Sequence, residues 1–187
     1  MSIILIEINE IGEDLKMKKA LLVIDMQKDY FEGGRFPLWN VDNTLENVID
    51  AMKKAESANI PVILIKHVVS VEKGIAPFFN EGTKGCEIHH DILKASPDAE
   101  VVIKQYADGF HKTNLGQILS TLGIEEILIC GAMTQNCVTH TAISKEAEKY
   151  KVKVLKDCCT TVNEAIHEIA LNGLSTCVDL VDYKDVM

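Results

Sequence analysis

Three residues at the ends of three apolar runs have the types needed for a nucleophilic displacement. The first is Cys137, in the stretch ILICGAMTQNCVTHTA from Ile127 to Ala142. That stretch opens as a continuous apolar run bounded by Gly131, which reads as a buried parallel strand, and then passes through small and polar residues into a helical pattern. Cys137 falls in or beside the first helical turn, where free N–H groups and the positive end of the helix dipole favour a thiolate. Most free cysteines are small buried hydrophobes. What sets this one apart is its place after a strand and the two other strand ends that offer it partners. Asp25 closes the run Ala20 to Ile24, and Lys104 follows the run Glu100 to Ile103. A thiol needs a nearby base at neutral pH, and a carboxylate beside a lysine can hold a proton in transit. Taken singly, Asp25 reads as a turn cap and Lys104 as a solvated strand terminus. Three strand ends facing one crevice favour a triad.

The elements that must position these groups follow from periodicity. After the first strand, the loop MQKDYFEGGRFPLW leads to a helix from about Asn43 to Ala58, with Leu45, Val48, Ile49, Met52 and Ala55 on one face and Asn43 with Glu46 as a capping box. Pro61 starts a second strand, VILIK, which delivers His67 to its end. The segment Val68 to Ala99 has weak periodicity and reads as a long functional loop. Glu100 to Ile103 is a third strand, Thr113 to Leu122 a helix closed by Gly123, and Glu126 to Cys130 a fourth strand. A helix from near Gln135 to about Lys149, a fifth strand Val152 to Leu155, a helix capped by Asn163 and a sixth strand Cys177 to Val181 complete the chain. This alternation predicts an α/β fold with a parallel sheet and helices on both faces, and a ligand site at the carboxyl ends of the strands.

Composition narrows the function. A chain of 187 residues with 47% hydrophobic content supports one well-buried core, and a net charge of -9 argues against nucleic-acid and anionic-membrane partners. The six cysteines form no CxxC pair and no zinc-finger spacing, so reduced thiols in a cytoplasmic protein are the expectation. The N-terminus lacks the basic start and long apolar run of a signal peptide, and no stretch approaches the roughly 20 apolar residues of a membrane span. Residues 1–17 read as an extension of uncertain structure, and residues 18–187 as the domain. Neither GxGxxG nor GxxxxGK[ST] occurs, so nucleotide binding has no support and no cofactor is expected.

The segments LLVIDMQKDYF, VVIKQYADGFHKTNL and ICGAMTQNCVTHTA, in that order, resemble the isochorismatase-like cysteine hydrolase superfamily over about Lys18 to Val181. The resemblance implies a three-layer Rossmann-like fold with a six-stranded sheet ordered 3-2-1-4-5-6, and a triad of Cys137, Asp25 and Lys104. It also implies an oxyanion hole from the amides of Met133 and Cys137, a cis peptide between Ala132 and Met133, and a homo-oligomer, dimer or tetramer. The implied activity is hydrolysis of a small amide, carbamoyl or ureido compound through a thioester. A vinyl-ether hydrolase is a weaker reading, because that chemistry need not use a cysteine. A redox or binding protein using Cys137 is a third.

Expected pocket residues are Gln27, Phe31, Trp39, His67, Phe110 and His111. Phe31 also reads as a packing aromatic, and Trp39 reads equally either way. Nicotinamidases that resemble the chain carry a metal on an Asp-x-His triplet, and the matching triplet here is Ile65-Lys66-His67, so no metal is expected. His67 then lines the pocket or caps its strand. His89 and His90 are adjacent and, in an extended segment, would face opposite ways. Glu87 could reach the site or a subunit interface.

Overall fold

The apolar runs assemble, in a computed structural model that describes residues 17–187, into one parallel sheet with strands β1 (Lys19–Ile24), β2 (Val62–His67), β3 (Glu100–Lys104), β4 (Glu126–Ala132), β5 (Lys151–Thr160) and β6 (Asp179–Val181). Residues 1–16, which hold nearly all of the expected N-terminal extension, lie outside the described residues. The order is β3-β2-β1-β4-β5-β6, so the chain reverses its direction of progress between β1 and β4. Side chains alternate across each strand and build two cores. Leu21, Val23, Val62, Leu64, Leu128 and Cys130 pack on one face with Leu45, Val48, Met52 and Ala55 of helix α1 (Val41–Ser57). Leu22, Ile24, Ile63, Ile65, Ile127 and Ile129 pack on the other with Leu115, Leu119, Val138 and Leu174. A strand apolar on both faces belongs in the middle of a covered sheet, and β1 and β4 are buried along nearly their whole length.

Several elements differ from the sequence expectation. Helix α1 starts at Val41, and Asn40 at its cap is left-handed and makes no side-chain capping bond, so no box forms at Asn43. Helix α2 (His90–Ala95) interrupts the long loop, and α3 is the short Leu115–Thr121. The helix expected from Gln135 to Lys149 is broken. A π-turn over Thr134–Val138 leads into helix α4 (Thr139–Ala142), and a separate 3-10 turn covers Ala147–Lys149. The Thr139 hydroxyl donates to the Thr134 carbonyl, an alternative to regular helical bonding that threonine side chains offer. Strand β5 runs on to Thr160 past a register shift opposite Ile129 and Gly131. In α5 (Glu164–Leu174) Asn163 caps as its type suggests, accepting from the Ile166 N–H at 2.9 Å.

His89 and His90 do not face opposite ways. They open a helix rather than an extended segment, their ring centroids are 4.4 Å apart, and His89 Nδ1 accepts the Asp91 N–H as a cap.

Two close approaches set the frame. Gly131 has φ +113 and pairs with Ile24, and a Cβ there would come within 2.1 Å of the Ile24 carbonyl oxygen. Only glycine lets β4 approach β1 this closely. At the amino end of the sheet Glu126 is fully buried beside Lys153 at 3.0 Å and Lys19 at 3.3 Å, with Lys151 at 3.9 Å. Burial opposes its charge, but the bonds and charges of Lys153 and Lys19 outweigh burial and hold the carboxyl below the usual glutamate range. A depressed folded-state value stabilises the fold above the unfolded value near 4.5 and loses that contribution as pH falls through the folded one. Glu126→Gln should therefore flatten the acid limb of the stability profile, measured by denaturant unfolding across that range, and an unchanged limb would count against this role.

Candidate active site

Asp25 follows β1 and Cys137 follows β4, so the two flank the point where strand order reverses, the usual place for a ligand crevice in such sheets. Asp25 has φ 51, a left-handed conformation that aspartate tolerates better than most residues. Lys104 ends β3, two strands away, and its side chain reaches back across His67 to the same point. Its ammonium donates to Asp25 Oδ2 at 2.8 Å and to the Tyr106 carbonyl at 3.2 Å, and lies 3.0 Å from His67 Nδ1. The Asp25 carboxylate, the His67 ring nitrogen and Cys137 Sγ lie within 4.8 Å of one another. Asp25, Lys104 and Cys137 are 0%, 1% and 2% exposed, so these charges act with little water between them.

Burial pushes the Cys137 thiol well up, and the Asp25 carboxylate adds to this, while Lys104 pulls the other way. The thiol is therefore protonated at rest, contrary to the thiolate expected of a helix start. The turn that carries it is a π-turn, and burial beside a carboxylate prevails over any dipole. Burial alone would lower the Lys104 ammonium, yet Asp25 and Cys137 raise it overall and keep it charged. With Oδ2 held by Lys104, Asp25 Oδ1 is buried without a hydrogen-bond partner of its own. The Ala132–Met133 peptide leading into the turn is cis.

The pocket residues divide. His67 joins the triad. Gln27 spends its amide on backbone: Nε2 donates to the His67 and Cys86 carbonyls and Oε1 accepts the His67 N–H, each at 2.8 Å. It is a strut between β2 and the long loop, not a ligand donor. Phe31 packs on His89 at 4.3 Å between ring centroids. Its neighbour Tyr30 takes the inward place. Burial first, then the nearby Asp25 and Cys137, suppress ionisation of Tyr30, so it keeps its phenolic proton. Sequence reasoning missed Tyr30 because adjacent aromatics give no clue to which one points inward. Trp39 is half-buried against His167. Phe110 stacks on Tyr150 in the same buried cluster that holds Cys137, and His111 is exposed against Tyr106. Glu87 pairs with Lys28 on the surface. Asp29, also missed, is buried and accepts from the Phe79 N–H at 2.7 Å and the Arg35 N–H at 3.2 Å, tying the loop after β1 to the long segment after β2. Phe79 in turn packs on Tyr30 at 4.5 Å. A cleft of about 770 Å³ lies at the opposite, amino end of the strands and has none of these residues in its lining.

The metal arrangement of nicotinamidases does not fit. Ile65 is a buried core residue, and His67 Nδ1 faces the Lys104 ammonium, which already supplies the cation among these ligand-type groups. No step is assigned to a metal.

Removing one partner of a buried ion pair leaves the other uncompensated, at a cost of about 3–5 kcal/mol. Lys104→Met should lower stability by about that amount, and adding Asp25→Asn should restore most of it. Additive losses in urea unfolding would show that the two are not coupled.

The isochorismatase domain model matches residues 19–185. The chain is 32% identical to the uncharacterized isochorismatase family protein YddQ of Bacillus subtilis over 152 residues, covering 81% of this chain and 83% of that one. It is 30% identical to Nicotinamidase 3 of Arabidopsis thaliana, with 83% and 80% covered. The structure of an isochorismatase-like hydrolase from Alkaliphilus metalliredigens superposes with a TM-score of 0.83 at 25% identity, over 90% of this chain and 96% of that one. With a matching family model over almost all the described residues, and the six-stranded order on the page, the chain belongs to the isochorismatase family of hydrolases.

Proposed function

We propose that this hydrolase cleaves a small carboxamide, carbamoyl or ureido compound, with Cys137 as nucleophile, Asp25 as proton carrier and Lys104 as the charge that keeps Asp25 ready. The observation that carries the reading is the setting of Asp25: one oxygen is bound to Lys104, the other is buried without a hydrogen-bond partner, and the carboxylate lies within 4.8 Å of the protonated Cys137 thiol. A base for a thiol needs that arrangement. Nicotinamidase 3, whose name denotes an amidase, makes an amide the first substrate class to test.

The Cys137 proton passes to Asp25 as sulfur attacks the carbonyl carbon. The amides of Met133 and Cys137 receive the developing oxyanion. The C–N bond breaks as Asp25 returns the proton to the departing nitrogen, which leaves a thioester. Water, deprotonated by Asp25, then cleaves the thioester, and sulfur recovers its proton. Lys104 holds the Asp25 carboxylate throughout and balances the thiolate while it exists. Tyr30 supplies an apolar wall with a phenolic donor beside the reacting sulfur.

An ammonia-release assay over a panel of carboxamides, carbamoyl compounds and ureides tests the reading. Turnover of at least one compound is expected, with Cys137→Ala lower by roughly 10³-fold or more. Full activity in the Cys137→Ala protein, or no turnover across the panel while Cys137 reacts with iodoacetamide, would overturn it.

A further inference from the structure

We propose that His167 is a positioning residue for the nucleophile, holding the turn that carries Cys137 through a hydrogen bond from its Nδ1–H to the Thr134 hydroxyl. The proposal rests on the reading of Cys137 as nucleophile. Thr134 is the first residue of the π-turn and is fully buried. Its hydroxyl oxygen is 3.0 Å from the Thr160 carbonyl and 2.9 Å from His167 Nδ1. A carbonyl only accepts, so the single hydroxyl proton goes to Thr160 and the oxygen accepts from the ring N–H. The turn is thus gripped from both sides by the end of β5 and by α5.

The grip is itself well supported. Asn163 caps α5, and the His167 N–H bonds to the Asn163 carbonyl at 3.1 Å, which fixes where the ring stands relative to Thr160. On the far side of the ring lies Trp39, at 5.8 Å between centroids. The Trp39 N–H donates to the Thr161 carbonyl at 2.9 Å, its carbonyl accepts the Thr160 hydroxyl, and the Thr161 hydroxyl bonds to Gln135 of the same turn. His167 is 6% exposed, and burial keeps it neutral against the opposing pull of Glu168 and Glu164. A single-donor imidazole suits a part that needs one fixed N–H and no charge.

If the turn shifts, Cys137 remains a buried thiol that has lost the Lys104 ammonium, the charge that favours its thiolate, and burial keeps it protonated. The rate of Cys137 alkylation by iodoacetamide therefore reads the position of the turn and requires no substrate, so this test stands apart from the ammonia-release assay. The exposed Cys177 is replaced by serine throughout, and the Cys137 peptide is followed by mass spectrometry. His167→Phe keeps a ring against Trp39 and removes the donor, and should slow alkylation about 10-fold. His167→Asn places an amide N–H near the position of Nδ1 and should stay within about 3-fold of the unmodified rate. Thr134→Val and Thr134→Ser read the same bond from the other end and cover the case in which the phenylalanine variant fails to fold: the valine protein should be slow and the serine protein fast. Equal rates within either pair would overturn the proposal.

Discussion

The site depends on one buried ion pair. Lys104 and Asp25 meet at 2.8 Å with almost no access to solvent, and each would be costly to bury without the other. A lysine drawn into the interior from an edge strand is a poor choice for stability, since apolar residues of similar volume often serve as well or better. Its effect here is on protonation. The ammonium occupies one carboxylate oxygen, faces the ring nitrogen of His67, and leaves the other oxygen buried and unbonded in a carboxylate that lies within 4.8 Å of a thiol that burial keeps protonated.

The rest of the architecture brings that pair to the sulfur. The reversal of strand order between β1 and β4 puts the ends of these neighbouring strands side by side, and Gly131 allows the two strands to approach until Asp25 and the π-turn are neighbours. Gln27 ties the end of β2 to the long loop, and Asp29 ties that loop to the segment after β1. On the other side Thr160, Thr161, Trp39 and His167 brace the turn. Apart from Trp39, which bonds through its backbone and packs its ring on His167, each brace is a buried polar side chain spent on backbone or on another side chain. Such networks define one arrangement when every partner is satisfied.

Much of this was legible in the sequence, for a physical reason. Strands covered on both faces are continuous apolar runs, so a polar residue at the end of such a run stands out, as Asp25 does, and Lys104 likewise follows an apolar run although its edge strand leaves Val101 and Ile103 exposed. What stayed hidden was phase and partnership. Tyr30 and Phe31 are both aromatic, and a 3-10 turn decides which faces the sulfur. Gln27 has the side chain of a ligand donor, yet the backbone of β2 and the loop consume its bonding capacity. The helical pattern runs through Thr134 to Lys149 without a proline or glycine, and the break after Ala142 is marked by Ser144, whose hydroxyl donates to Asp108 and accepts the Glu146 N–H. The end of β5 reads as a polar KDCCT, although Cys158, Cys159 and Thr160 are all buried.

The most direct measurement is titration of the Cys137 thiol, followed by the ultraviolet thiolate absorbance that is lost in a Cys137→Ser protein. A thiol still protonated at neutral pH is expected, with its titration moved to lower pH in an Asp25→Asn protein, because the carboxylate that opposes the thiolate is then gone while Lys104 remains. A thiolate already present at neutral pH in the unmodified protein, or a titration indifferent to Asp25, would contradict it.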